Sequence, residues 1–524
     1  MKTEAFSFRA TTLTLLASLA LAGCAVGPDF KRPESSTPDI FQRLQSAQSD
    51  SRAVDTEFHD DWWTLLNDPM LNELQARLAE SNLDVAAAAT RLGQSRATQQ
   101  IVSAAQLPKF DGAASYYRER GSPTGILSLL GVAPNATQTQ SASGGSPTGV
   151  APMPGSSGSP PYDVWQMGID ASWEIDIWGR VRRSVEAVGA LTDASFEDRN
   201  AVLLSVRAEL ARDYVELRDI QSLLEIAQQN LEIARDAARL TQVRAREGVT
   251  TDLDVANATA QVASIESLIP TLEARHDATI NAIGLLLAQE PGALKQQLAE
   301  PRAMPALPAR VPVGLPSEIV QRRPDIRRAE AQLHAATASI GMAKADFYPR
   351  IMLNGSAGFQ SLQLSSLADW ASRQFVVGPS ISIPIFEGGR LKGTLRLREA
   401  QQQEAAIDYR HTVLKAWREV DDALVAYDAE QRRRDKLVTV VSENQRALSI
   451  AQQRYKAGAV DYLDVLNVQR QLLQAQRNLE ESRAAAATNL IVLCKVLGGG
   501  WESTYGNGGT ASVASTAGSA NTAH

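Results

Sequence analysis

Two acidic stretches of the chain have the residue types and the spacing to do chemistry. Residues 461–467 read DYLDVLN, and residues 251–257, which lie 210 positions earlier, read TDLDVAN. Asp461 and Asp464 stand one helical turn apart, so the pair could form half of a metal site, serve as the carboxylates of an enzyme, or lie as polar residues on one face of a helix. A calcium loop is the weakest of these interpretations, because the spaced oxygen ligands of an EF-hand are absent.

The composition and the motif content exclude several functional classes. A net charge of −7 with mixed signs offers no basic surface for nucleic acid. The five histidines form neither an HExxH motif nor a cluster with cysteine, and the sequence contains no GxxxxGK phosphate loop and no GxSxG nucleophile elbow. We therefore predict no enzymatic activity, no metal and no cofactor apart from a covalent lipid.

The beginning of the chain predicts export and a lipid anchor. Residues 1–23 include an apolar stretch that is typical of a secretory signal and too short to span a bilayer. Residues 21–24, LAGC, resemble the bacterial lipobox, so Cys24 is the predicted lipidation site; the alternative is an ordinary signal with an incidental cysteine. Ala25 after the cysteine is typical of outer-membrane lipoproteins. Residues 24–57 are then predicted to be a lipid-anchored polar tether.

An internal repeat organises the remainder of the chain. Gly248 and Gly458 pair at an offset of 210, whereas Pro108 and Pro349 pair at an offset of 241. The first repeat therefore has 31 additional residues, which fall in a Ser-, Gly- and Pro-rich stretch over 121–161 that predicts a long loop. The predicted domains are a first repeat over 58–300, a second repeat over 301–500 and a disordered tail over 501–524.

Each repeat contains two stretches with the alternation of β-strands. They lie at about 109–118 and 162–178 in the first repeat and at about 350–360 and 375–387 in the second. One apolar and one polar face suit a wall between lipid and water, and a half-buried sheet of a soluble domain is the alternative. Four strands cannot close a membrane barrel, for which about eight are the minimum, so the first interpretation requires an oligomer. Three chains would supply twelve strands.

Long helical runs follow the second strand of each repeat. No glycine or proline occurs over 190–247 or over 394–457, and both runs far exceed the ~11–12 residues of a mean helix. Gly248 and Gly458 end the two runs, and helical pattern resumes within a few residues. Because glycine tolerates the positive φ of a helix C-cap, both glycines are predicted to be tips of helical hairpins.

The pattern within the hairpins predicts how the helices pack. Apolar residues over 437–455 follow a heptad spacing, and the equivalent positions over 227–245 are mostly alanine. This spacing favours coiled-coil packing, in which alanines permit close approach of the helices. Pro270 is expected to kink the returning helix of the first repeat, whereas the second repeat has Glu480 at that position, so the two hairpins should curve differently.

Several long motifs, in order along the chain, resemble those of the TolC-like outer-membrane factors, and among them the acylated NodT and OprM type of efflux lipoprotein. The resemblance covers roughly residues 55–500. The motifs are FHDDWWTLLNDPMLNEL (58–74), SWEIDIWGRVRRSVEA (172–187), VPVGLPSEIVQRRPDIRRAEAQL (311–333), IPIFEGGRL (383–391) and the two tip motifs.

This resemblance implies an α+β membrane protein that works as a homotrimeric duct. Each chain would contribute four strands to a shared 12-stranded β-barrel in the outer membrane and long antiparallel coiled-coil helices to a periplasmic α-barrel. Such a duct passively conducts drugs or other small toxic compounds received from a periplasmic adaptor protein and an inner-membrane efflux pump. The pump is expected to be of the resistance-nodulation-division (RND) or major-facilitator (MFS) type. The alternative is the outer-membrane channel of a type I secretion system, which exports polypeptides.

The resemblance also assigns roles at the hairpin tips. Asp464 falls on the first acidic position of the periplasmic aperture, and Asn467 falls where some relatives have a second aspartate. Asp254 and Tyr455 fall on a hydrogen-bonding pair that links neighbouring tips and holds the entrance shut. Asp461 lies on the same helical face as Asp464, so threefold symmetry would turn each acid into a ring of carboxylates, which is a device for cation preference and gating.

Two features of the tips qualify this assignment. Gly248 and Gly458 fall on the adaptor-contacting ends, but the arginine expected two residues after the second glycine is Val460 here. Asp252, Asp254 and Asp461 have a simpler interpretation from the residues alone, as acids that complement the helix dipole just after a tip.

Other kinds of protein fit the pattern less well. A periplasmic adaptor would have one hairpin between β-rich domains, whereas here the hairpin is duplicated and each copy brings a strand pair. An enzyme would need a polar catalytic constellation that the motifs do not supply, and a self-contained porin would need more strands. We therefore expect an outer-membrane protein with a large periplasmic part.

Overall fold

The computed structural model describes residues 25–33, 52–54, 61–120, 161–313, 319–320 and 322–502. The signal peptide, Cys24, most of the predicted tether, the loop over 121–160 and the tail from residue 503 lie outside the described residues. The strands are β1 (Arg52–Val54), β2 (Lys109–Glu119), β3 (Tyr162–Glu174), β4 (Arg310–Pro312), β5 (Arg350–Ser361) and β6 (Arg373–Ser382). The helices are α1 (Pro69–Ser81), α2 (Leu83–Ser103), α3 (Arg180–Arg246), α4 (Asp252–Glu266), α5 (Leu268–Leu286), α6 (Lys295–Leu298), α7 (Pro324–Ala345), α8 (Arg390–Lys456) and α9 (Tyr462–Leu497).

The chain divides into two compact units, and each unit draws on both repeats. One unit contains the described residues within 1–29, 99–186 and 338–399, and the other contains those within 30–98, 187–337 and 400–524. The first unit holds the strands β2, β3, β5 and β6, and the second holds the hairpin tips. The boundary near residue 300 that the repeats predict is therefore not the boundary between compact units.

The sheet of the first unit has four antiparallel strands in the order β2-β3-β5-β6. Its register sets Phe110 opposite Ala171, Ile169 opposite Ala357, and Ala357 opposite Phe375. Residues directly opposite each other share a face of an antiparallel sheet, so the apolar positions of all four strands lie on one side. That side is exposed in the chain, as the 75% exposure of Phe375 shows, which disagrees with a half-buried sheet of a soluble domain.

Two strands end earlier than the alternation of their residues predicts. β3 ends at Glu174 rather than near 178, and β6 spans Arg373–Ser382 rather than 375–387. The reason is the partner strand: β5 begins at Arg350, directly after Pro349, and Arg350 pairs with Ser382, so later residues of β6 have no strand beside them. Alternation continues in the sequence past the point where a pairing strand is available.

Two facing glycines bring β3 and β5 together where the two repeats meet in the sheet. Gly168 and Gly358 are direct partners in the register. A Cβ atom at Gly358 would overlap the carbonyl oxygen of Met167, and a Cβ atom at Gly168 would lie 2.8 Å from the carbonyl oxygen of Ala357. Only glycine permits this approach of the two backbones.

The first residues after Cys24 make specific contacts within the strand-containing unit. Within the strand-containing unit, the Val26 N–H donates to the carbonyl of Trp178 at 3.0 Å, and the side chain of Arg183 forms an ion pair of 2.5 Å with Asp29. Gly27 lies against Gly341 so closely that a Cβ atom there would be 2.5 Å from the Gly341 Cα. Val26 and Gly27 are therefore held within the strand-containing unit, and the tether over 24–57 stays a prediction.

The two long helices α3 and α8 have the same length of 67 residues. At about 1.5 Å per residue each spans roughly 100 Å. The heptad positions predicted from the sequence are the positions at which both helices pack. On α8, Val441, Leu448 and Tyr455 are buried, and on α3 the alanines at 227, 234 and 238 are buried. Ala238 and Ala258 belong to the same hydrophobic cluster as Val441 and Tyr455, so the coiled-coil packing is confirmed.

The returning helices of the two hairpins differ as Pro270 predicts. In the first repeat the helix is interrupted at Ser267, which separates α4 from α5. In the second repeat α9 runs without interruption through Glu480 for 36 residues. Proline lacks the N–H that would donate to the carbonyl four residues earlier, which explains a break within one turn of Pro270. In the part of the chain that the structure describes, no helix combines the length and the apolar character needed to cross a bilayer.

Candidate functional site at the hairpin tips

Each long helix ends in the same backbone motif, and a glycine lies at its centre. In the first tip, the Gly248 N–H donates to the carbonyl of Ala245 at 3.0 Å and the Val249 N–H to that of Arg244 at 2.8 Å. In the second, Gly458 donates to Tyr455 at 3.0 Å and Ala459 to Arg454 at 2.9 Å. These paired bonds form a Schellman motif, which needs a positive φ at the glycine, here 72° and 73°. The glycines are the helix C-caps that the sequence predicts.

The returning helix of the first tip begins with a capping box formed by Thr251 and Asp254. The Thr251 hydroxyl accepts from the Asp254 N–H, and the Asp254 carboxylate accepts from the Thr251 N–H, both at 3.3 Å. The hydroxyl of Thr250 also donates to that carboxylate at 2.5 Å. These bonds, the one from Thr250 above all, hold the pKa of Asp254 below its ordinary value. Within one chain, Asp254 therefore stabilises the start of α4.

The second tip has acids at both of the equivalent positions. Asp461 is the N-cap of α9 without a side-chain capping bond, and Asp464 lies in the first turn. The Thr251 hydroxyl also donates to the Asp254 carboxylate at 2.9 Å, and Asp461 cannot donate to Asp464 in this way, because an ionised carboxylate only accepts. Asp461, Asp464 and Asn467 are all exposed and follow one another at three-residue steps, so they form a polar stripe along one face of α9.

Tyr455 lies at the end of α8 among residues of both hairpins. Its hydroxyl is 3.5 Å from the hydroxyl of Thr241, and its ring centroid is 5.8 Å from that of Tyr462. Asp254 has Thr250 and Thr251 as its partners, so within one chain Asp254 and Tyr455 bond to different groups. Val460 packs against the hydrophobic cluster that the two hairpins share rather than occupying a polar position.

Arg244 is a tip residue that the sequence interpretation missed. Its guanidinium donates to the carbonyl oxygen of Tyr455 at 2.5 Å and lies over the Tyr455 ring, with Cζ 4.5 Å from the ring centroid. The signal in the sequence is the repeat itself, because Arg244 and Arg454 both stand four residues before a tip glycine. Only the second repeat has a tyrosine beside that arginine, and which ring Arg244 reaches is a matter of tertiary packing.

Metal binding at the tips was one of the possibilities raised by the acid spacing. Within the described residues, no group of three or more His, Cys, Asp or Glu side chains is arranged to hold a metal ion.

Comparison with known proteins assigns the family. Residues 74–289 and 315–499 match the family described as outer membrane efflux protein. The chain belongs to this family. It is 31% identical over 493 residues to the solvent efflux pump outer membrane protein SrpC of Pseudomonas putida, covering 94% of this chain and 98% of the relative. It is 29% identical over 489 residues to the outer membrane protein OprJ of Pseudomonas aeruginosa, covering 93% and 95% of the two chains.

Solved structures of efflux channels have the same fold as this outer membrane efflux protein. The outer-membrane channel OprN superposes with a TM-score of 0.82 at 31% identity, covering 91% of this chain and all of that one (100%). The open MtrE channel of Neisseria gonorrhoeae gives a TM-score of 0.72 at 28% identity, covering 91% and 99%. The predicted family, the TolC-like α+β channel fold and the outer-membrane location are thereby confirmed.

Proposed function

We propose that three copies of this chain form a passive efflux duct whose periplasmic entrance lies at the hairpin tips and opens like an iris. The observation on which the proposal rests is the pair of Schellman-capped tips, one of which is followed by the exposed stripe of Asp461, Asp464 and Asn467. A threefold axis beside α9 would repeat this stripe three times around the entrance. Efflux-channel relatives of the same fold and length support this assembly.

The stripe suggests how the entrance selects ions. Asp464 would contribute a ring of three carboxylates, and Asn467, one turn further along α9, would contribute a ring of neutral amides. Rings of carboxylates in a narrow passage favour cations and bind divalent cations between them. The entrance therefore has its strongest negative charge at Asp464, and Asp461 adds charge at the rim.

The tips also suggest where an adaptor protein binds. Val249, Leu253 and Leu463 are exposed apolar side chains within five residues of Gly248 or Gly458. Exposed apolar side chains next to a glycine, which leaves the backbone accessible, suit docking of another protein. We assign Gly248 and Gly458 to contact with a periplasmic adaptor, which connects the duct to an inner-membrane pump of the RND or MFS type.

The cargo is a small toxic compound rather than a polypeptide. The relatives at about 30% identity include solvent and toluene efflux pump proteins, and their full length is matched by this chain. These relatives favour efflux of drugs or other small apolar compounds over type I secretion. Cys24 would bear the lipid, and the residues that follow it are held by the hydrogen bond from Val26 to Trp178 and the ion pair of Asp29 with Arg183.

Substitution of Asp464 tests the entrance assignment. The Asp464→Asn trimer in a planar bilayer should lose most of its block by magnesium and its preference for potassium over chloride, because the ring of carboxylates becomes a ring of amides. The control is Glu443→Gln, which removes an exposed carboxylate of α8 about four turns before the tip. Single-channel currents and magnesium block that match the unchanged protein would remove Asp464 from the entrance.

A further inference from the structure

A side chain of the first hairpin holds the end of the second hairpin. Arg244 lies in the last turn of α3, and its Nη1 donates to the carbonyl oxygen of Tyr455 in the last turn of α8 at 2.5 Å. The same guanidinium lies over the Tyr455 ring, 4.5 Å from its centroid. Its Nη2 approaches the tip glycine as well, since a Cβ atom at Gly458 would lie 3.8 Å from it.

Three attractive interactions coincide at this contact. The cation lies on the face of an aromatic ring, donates to a carbonyl, and stands at the negative C-terminal end of a helix dipole. Tyr455 is only 6% exposed, so water weakens these interactions less than it would at an open surface. The carbonyl that Arg244 contacts also accepts the Gly458 N–H of the Schellman motif, so the contact bears directly on the geometry of the tip.

Comparison of the two repeats shows that the arginine of the first hairpin makes this contact and that its equivalent in the second hairpin has no matching ring. Arg454 is the equivalent of Arg244, and Ala245 is the equivalent of Tyr455 at the offset of 210 residues. Ala245 has no ring, and Arg454 is exposed. Each chain therefore has one arginine that joins the two hairpins through an aromatic ring and one arginine, at the matching position, with no ring to receive it.

We infer that Arg244 is a positioning residue that fastens the second hairpin to the first and keeps the entrance closed. The inference rests on the proposed function, because it assigns closure to the same tips. It also accounts for Val460, which stands where the family pattern leads one to expect an arginine: Arg244 supplies a guanidinium to this tip from the other hairpin.

Loss of the contact should move the balance between open and closed entrances by about tenfold, which corresponds to one desolvated cation–π contact together with its hydrogen bond. Arg244→Gln removes the cation and shortens the side chain, so it should raise the open probability of single channels by this factor. Arg244→Lys keeps the charge but loses the planar guanidinium, so its effect should be intermediate.

The matched control is Arg454→Gln, which changes the same residue type at the same position of the other repeat. Its channels should open as rarely as those of the unchanged protein. Tyr455→Phe retains both the ring and the carbonyl that Arg244 contacts, so it separates this contact from the hydroxyl of Tyr455. Cells that produce Arg244→Gln should become sensitive to a large hydrophilic antibiotic that the outer membrane normally excludes, whereas cells with Arg454→Gln should not.

The outcomes separate this inference from the proposed function. If Asp464→Asn alters magnesium block while Arg244→Gln behaves like Arg454→Gln, the assignment of the entrance to the hairpin tips is retained and the role inferred for Arg244 is wrong. Opening by Tyr455→Phe with no effect of Arg244→Gln would assign closure to the tyrosine hydroxyl instead. If Arg244→Gln fails to form heat-stable trimers, Tyr455→Leu decides: it removes the ring together with its hydroxyl, whose separate effect Tyr455→Phe measures, and closed channels in the leucine variant would overturn the inference.

Discussion

Asp219 is a carboxylate enclosed within the helical unit near the middle of α3. It is 8% exposed, and its Oδ1 has no hydrogen-bond partner among the described residues. Burial, and after it the negative charge of Glu481, raises the pKa of Asp219 to about 6. The unfolded value is near 3.9, so the folded chain binds this proton more tightly, and stability declines as the pH rises from about 4 to about 6.

Asp219→Asn should therefore stabilise the protein, and more at about pH 7.5 than at about pH 4.5, because the amide has no charge to bury at either pH. Thermal unfolding of the detergent-solubilised protein at the two pH values measures this difference in stabilisation. Asp236→Asn, an exposed change on the same helix, serves as the control. An equal gain in stability at both pH values would show that burial of the carboxylate charge does not contribute to the effect.

A single residue can decide whether equivalent helices of the two repeats are continuous. The returning helix of the first repeat is divided into α4 and α5, whereas α9 of the second is not. Pro270→Ala should restore the N–H that can donate to the carbonyl of Glu266 and join α4 to α5. Glu480→Pro should introduce a break into α9 and lower stability by about 3 kcal/mol. Hydrogen exchange should show more protection around residue 267 in the first variant and less around residue 477 in the second.

A control variant separates the effect of introducing proline at residue 480 from the effect of losing the glutamate. Glu480 forms an ion pair of 2.5 Å with Arg483, so Glu480→Ala measures the loss of that pair alone. If Glu480→Ala and Glu480→Pro lose the same stability and protection, the ion pair rather than the helix backbone accounts for the change.

Among the described residues, the four-stranded sheet ends at β2 on one side and at β6 on the other, so these are its edge strands. Their unpaired N–H and C=O groups can bond to the opposite edges of further copies. We expect a cysteine at Ser115 of β2, combined in turn with cysteines along β6, to form disulfides between chains at one register. Denaturing gels should then show a ladder that ends at three chains, as the homotrimer of the family requires.

Single cysteines are the control, since one alone cannot join β2 to β6; the native Cys494 is buried and does not interfere. A ladder that continues past three chains, or crosslinks confined to single chains, would contradict closure by three copies.

Local chemistry explains why so much of the architecture is predictable from the sequence. Glycine at positions 248 and 458, alternation in the strands and proline at 270 each act within one or two turns. The repeat presents the tip glycines and the strand pairs twice. The aperture residues are a different case. Asp254 and Asp464 stand the same number of residues after their tip glycines. Thr251 nevertheless engages Asp254 in a capping box, whereas Asp464 has another acid at the equivalent position and stays exposed.

The sequence by itself determined the duplicated hairpins, the strand pairs, the tip glycines and the family, because periodicity and backbone preference are properties of neighbouring residues. Only the tertiary structure decided where β3 and β6 end, that Val26 and Gly27 contact Trp178 and Gly341, and that Arg244 rather than a residue near Val460 reaches Tyr455. Each of these depends on which distant residue comes within a few ångströms, and that is set by the packing of whole helices and strands.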